Sequence, residues 1–144
     1  MMKYFFSFLF LFFSITTIQA QTFDPQKYII EHEKDIAIEQ PAPHRGGGNS
    51  VGYSFFKDAK DYKTAFKKRV LKPEAAIGYH QQKEDEVYYI VSGKGMMKLN
   101  DETYEVNSGD AILTRTGSSH SIKNISNEDL VLIIVYEHQI KTSQ

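Results

Sequence analysis

From Val51 to His138 the chain is cut into short runs of branched and aromatic residues by turn-forming residues every eight to twelve positions or so. That punctuation constrains the fold more than any other feature. It predicts strands near Val51–Phe56, Thr64–Leu71, Ala76–Gln81, Val87–Val91, Gly95–Leu99, Glu102–Val106, Asp110–Thr114, His120–Asn124 and Leu130–His138. Asn100-Asp101 reads as a two-residue hairpin turn between two of them. No stretch keeps a helical period for long, so the fold class is all-β, a sandwich or barrel of many short antiparallel strands. Before these strands, Gln40-Pro41-Ala42-Pro43-His44-Arg45 followed by three glycines marks a loop, because proline cannot donate to the ladder of a central strand.

The N-terminus is read separately. Lys3 precedes an apolar run from Tyr4 to Ile18, and Gln19-Ala20-Gln21 then supplies the small residue that signal peptidase needs. The run falls short of the roughly 20 apolar residues of a membrane span. A signal peptide over 1–20, cleaved after Ala20, is therefore expected, giving an exported protein, periplasmic or secreted, with no membrane anchor left. The chain has no cysteine, which excludes a lipoprotein anchor, disulfides and thiolate metal sites. With 17 basic and 18 acidic residues, nothing favours a nucleic-acid partner. The expected organisation is the leader, an arm and glycine-rich loop over 21–50, the β domain over 51–138 and a tail over 139–144. In the arm, Ile36-Ala37-Ile38 reads as an edge strand.

Chemistry concentrates around one stretch. His80 and Gln82 are two apart on an expected strand, so they project from one face about 7 Å apart, and Glu86 follows after a short turn. Such a set can hold a metal, or line a metal-free polar cavity in which Gln82 only donates and accepts hydrogen bonds. Tyr88 shares strand parity with Glu86 and can face the same cavity; Tyr53 and Arg69 can line it from earlier strands, although Arg69 within Lys67-Lys68-Arg69 also reads as part of a solvated charge run. Glu137 alternates with Ile133 and Val135, an acid on an otherwise apolar face. Arg115, in the loop before His120, can fork onto a carboxylate or phosphate or simply decorate a turn. His44-Arg45 can close over a barrel mouth or lie in a solvent loop.

These residues carry a resemblance to the cupin superfamily of small jelly-roll β-barrels. His80, Gln82, Glu86 and Gly93 follow the first cupin motif, and Gly109, Gly117, His120 and Asn124 follow the second at its spacing. The resemblance spans roughly Phe66 to His138. Three positions depart from the pattern: Glu74 stands for a glycine, Gln82 for the second histidine and Arg115 for a proline. Glu74, after Pro73, is expected to make a type I turn. What the resemblance implies is a jelly-roll fold and a divalent ion (Mn, Fe, Ni, Co or Zn) on His80, Gln82, Glu86 and His120, with the amide oxygen of Gln82 a poorer donor than an imidazole. It also implies a small-molecule ligand or substrate, and a homodimer in which the arm pairs with the partner's sheet. The activity expected is redox-neutral chemistry on a sugar or sugar acid, of isomerase, epimerase or lyase type, with Tyr88, Glu137 and Arg115 as catalytic candidates. A non-catalytic ligand-binding module and an iron-dependent dioxygenase are the alternatives.

Overall fold

A computed structural model describes residues 27–138. The expected leader and tail lie outside the described residues. The strands are β1 (Ile38–Pro41), β2 (Asn49–Phe55), β3 (Thr64–Leu71), β4 (Ala76–Gln81), β5 (Glu86–Ser92), β6 (Lys94–Leu99), β7 (Glu102–Asn107), β8 (Ala111–Thr114), β9 (Ser119–Asn124) and β10 (Leu130–Glu137). They form a six-stranded sheet in the order β1-β2-β3-β10-β5-β8 and a four-stranded sheet in the order β4-β9-β6-β7. Every pairing is antiparallel.

Alternation along the strands places the core. Glu86, Tyr88 and Ile90 of β5 are buried while Val87, Tyr89 and Val91 are exposed, the two-residue period of a sheet with one covered face. Leu71, Ile90, Leu130 and Leu132 from the larger sheet meet Ile77, Met97 and Ile122 from the smaller one, all at most 2% exposed. Asn124 is as deeply buried and fully used: its Nδ2 donates to Leu71 O and Glu128 O, and its Oδ1 accepts from Ser126. This asparagine of the second motif is thus a structural staple between strand ends.

Three expectations need correction. The strand expected at Ile36-Ala37-Ile38 begins only at Ile38, because Glu33–Ile36 close one helical turn, α1, and β1 then runs to Pro41. A proline is tolerated there because β1 is an edge, paired on one side with β2. Second, Glu74 does not sit in a type I turn: its φ is 65°, and Ala75 N–H bonds Lys72 O, which is the type II pattern with Pro73 and Glu74 at the centre. The glycine that this motif position ordinarily carries would adopt that backbone without strain. Third, β4 does not alternate simply. Its register to β9 pairs Ile77 with Ile122 and His80 with His120, so one extra residue sits on β4 at Gly78-Tyr79. The bulge reverses the parity and lets Ile77 and His80 face the interior together.

Candidate metal centre and its cavity

The ligand-type residues arrive from three strands at one end of the barrel. His80 (β4) and His120 (β9) are cross-strand partners in the smaller sheet, and Glu86 opens β5 in the larger sheet opposite. His80, Glu86 and His120 each offer one ligand atom, all within 4.8 Å of one another, with Glu86 and His120 buried. Buried Gln82, just past the end of β4, completes the set. Its backbone is locked to the β8–β9 loop by Gln82 N–H to Ser118 O (2.8 Å) and Gly117 N–H to Gln82 O (2.9 Å).

The donor chemistry fits a cation. His80 Nδ1 lies 2.8 Å from Gly78 O, an acceptor, so this nitrogen donates and Nε2 is the ring atom turned inward. His120 Nδ1 is held by Thr114 Oγ1 at 2.7 Å, which likewise aims Nε2 at the centre. The Gln82 amide nitrogen lies 3.1 Å from His80 Nε2, 2.8 Å from His120 Nε2 and 2.5 Å from Glu86 Oε2. His120 Nε2 also lies 3.2 Å from Glu86 Oε2, so three ligand-type atoms and the amide crowd one point. A cation placed there would be met by the two ring nitrogens and the carboxylate together. Turning the amide about its last torsion exchanges nitrogen for oxygen and makes Gln82 a fourth donor.

Above this cluster lies a cavity of about 250 Å³. Tyr88 stands beside it, buried, its ring 4.9 Å from that of His120. Burial, and then the neighbouring Glu86 carboxylate to which the phenol is hydrogen-bonded, push its pKa well above the ordinary value, so the hydroxyl stays protonated and can donate to a ligand. His44 closes one side, its ring stacked on that of His80 with centroids 3.5 Å apart and planes 6° from parallel. The glycine-rich segment is therefore folded over the mouth. Gly46 and Gly78 lie where a Cβ would run into the backbone of Ala76 and of His44, and Ala76 N–H to Gly47 O (3.0 Å) and Ala42 N–H to Gly48 O (3.0 Å) fasten the turn.

Two cations of β3, Lys67 and Arg69, also line the cavity. This corrects the solvated-run reading. They share strand parity with Ala65 and Leu71 on the inner face, while Lys68 points outward to an ion pair with Glu33 at 2.7 Å. Strand parity with Leu71 was the available signal. Of the other expected site residues, Tyr53 stands under the Lys68 ammonium, 5.0 Å from ring centre to Nζ, on the outer side of the sheet. Arg115 is exposed and bonded through Nε to Asp85 at 2.8 Å, and Glu137 is exposed at the end of β10; neither lines the cavity. Thr114 escaped notice because only the fold brings it to His120.

Comparisons with known proteins agree with this architecture. The cupin domain model matches residues 68–136. An oxalate-binding protein of Thermotoga maritima is 32% identical over 111 residues, 74% of this chain and 92% of the relative. The crystal structure of a protein from the same organism described as a predicted oxalate decarboxylase superposes with a TM-score of 0.70 at 28% identity, covering 76% of this chain and 99% of that one. The polyketide cyclase RemF of Streptomyces resistomycificus shares the fold at 16% identity, TM-score 0.63, over 76% of this chain and 79% of its own. With its jelly-roll sheets, its motif residues converging at one barrel end and a relative matched along most of its length, the chain belongs to the cupin superfamily.

Proposed function

We propose that the protein is a divalent-metal-dependent cupin whose ligand is a small carboxylate. The observation that carries this reading is the convergence of ligand atoms of His80, His120 and Glu86, all within 4.8 Å of one another, at the base of a small cavity. A divalent ion held there supplies Lewis acidity toward carboxylate oxygens. The protein's own contributions are separate: Tyr88 offers a phenolic proton, His44 and Pro43 close the mouth against water, and β3 lends positive charge. The carboxylate class is supported by the oxalate-binding relative. A sugar acid brings the same functional group, so redox-neutral chemistry on such a compound belongs to this reading as its second form; the protonated Tyr88 beside the Glu86 carboxylate gives that form an acid and a base in contact.

The test uses untagged protein. Metal content after loading with Mn, Fe, Co, Ni or Zn is measured, and ¹³C-oxalate and uronates are then followed by NMR with the loaded protein. Near one equivalent of metal, with binding of at least one carboxylate, is expected. Metal below a tenth of an equivalent under all loadings would sink the proposal. Carboxylate that binds without conversion identifies a binding module, and conversion identifies an enzyme.

A further inference from the structure

The cavity also presents two cations that the metal cluster does not use. Arg69 is half-buried on β3, and among the described residues its hydrogen bond is Nη1–H to Ser50 Oγ at 3.2 Å. Its Nε is buried with no partner. A guanidinium carries five N–H donors in a planar fork, and burying one unpaired is costly. No ion pair of Arg69 or Lys67 is present among the described residues; Lys67 Nζ instead bonds the Tyr136 hydroxyl at 2.6 Å. Two cations therefore share one small cavity with Glu84 and Glu86 and are ion-paired with neither.

The fold makes room for them. β2 faces Lys67, Arg69 and Leu71 with Ser54, Gly52 and Ser50, the smallest side chains available. A Cβ on Gly52 would come 2.6 Å from Arg69 Nη1, so a side chain there would collide with the guanidinium. Burial draws the arginine below its ordinary pKa, yet an arginine starts so high that it remains charged near neutrality. The Tyr88 phenol interacts with both the Glu86 carboxylate and the Arg69 guanidinium.

We propose that Arg69 and Lys67 form an anion subsite distinct from the metal cluster, and that the ligand is a small dicarboxylate, one carboxylate on the metal and the other on the β3 cations. This rests on the metal-dependent reading above. It goes further in requiring two anionic groups on one ligand. Arg69 grips the second carboxylate through its fork and Lys67 adds a point charge, so selectivity for two carboxylates over one originates at β3.

The experiment titrates Mn-loaded protein with oxalate, malonate, succinate and acetate by calorimetry, for the wild type and for Arg69→Gln, Arg69→Lys and Lys67→Met, each first shown folded by circular dichroism. At least one dicarboxylate is expected to bind ten-fold or more tighter than acetate. Arg69→Gln and Lys67→Met are each expected to reduce that preference ten-fold or more, with Arg69→Lys in between, because the dicarboxylates lose more affinity than acetate, which has no second carboxylate to place on β3. Equal losses for acetate and dicarboxylates, or an unchanged preference in both neutral variants, would overturn the subsite. Should Mn fail to bind the wild type, the metal reading falls by itself, and thermal shifts of metal-free protein decide the subsite: a succinate- or malonate-induced rise that Arg69→Gln or Lys67→Met removes supports it, and no rise, or one both variants keep, refutes it. If Arg69→Gln does not fold, Lys67→Met carries the comparison alone.

Discussion

In the metal-dependent reading, Gln82 sets how strongly the site would hold an ion. To serve as a ligand its amide would expose oxygen to the cation and turn away the nitrogen that now contacts Glu86 and both histidines. A neutral amide oxygen is a weak donor, whereas an imidazole at the same place donates a nitrogen lone pair. Gln82→His is therefore expected to raise Mn or Ni affinity about ten-fold or more by calorimetric titration, and Glu86→Ala or His120→Ala to remove binding. Unchanged metal content in all three would mean the ion sits elsewhere. The sequence already showed His80, Gln82 and Glu86 as a set. What it hid was their support: Thr114 behind His120 and the Gly78 carbonyl behind His80 come from tertiary contacts and a bulge.

Individual turns and loops carry their own consequences. Glu74 holds φ 65° in a type II turn, where an L-residue is strained by roughly 1–2 kcal/mol and glycine loses only about 0.5–1 kcal/mol in chain entropy. Its ion pair with Lys123 is exposed and contributes little. Glu74→Gly should thus raise the unfolding free energy slightly, by about 0.5 kcal/mol in urea denaturation; a clear loss of stability would show that this backbone is unstrained. The loop over the cavity mouth gives the opposite sign. Gly78 lies against the His44 carbonyl with no space for a Cβ. Gly78→Ala should push the loop off the barrel, speeding amide exchange at Gly46 and weakening metal binding because His80 loses its stacked neighbour. Unaltered exchange across 43–48 would mean the loop is held by other contacts. Strand positions were legible from the chain because turn residues punctuate it, but the loop's closure was not, since a Pro- and Gly-rich stretch is equally compatible with free solvent.

At the scale of the molecule, a site built from both sheets would couple ion binding to their packing. His80 and His120 belong to the smaller sheet and Glu86 to the larger, so an ion held by all three would tie the two together. Ligand at a hundred times its dissociation constant stabilises the native state by about 2.7 kcal/mol, which for a domain of this size is on the order of 10 °C in midpoint. Adding Mn to metal-free protein should produce a rise of that order, and chelator should reverse it; no shift at saturating metal would show that the sheets do not share the ion. Amino-terminal sequencing of protein from an exporting host should begin at Gln21 if the leader is cut after Ala20. An intact Met1 would exclude that cleavage.

By itself the sequence determined the all-β class, nearly every strand, and the motif spacing that brings His80, Glu86 and His120 into one account, because turn chemistry and side-chain period are local properties. Only the tertiary structure decided which faces of those strands look inward. One extra residue at Gly78-Tyr79 reverses the parity of β4, and the β2–β3 register sets small residues opposite Lys67 and Arg69, leaving room for these two members of a basic triplet to line the cavity while Lys68 turns out. Register between strands far apart in the chain is set by packing the whole barrel at once, and no short stretch contains it.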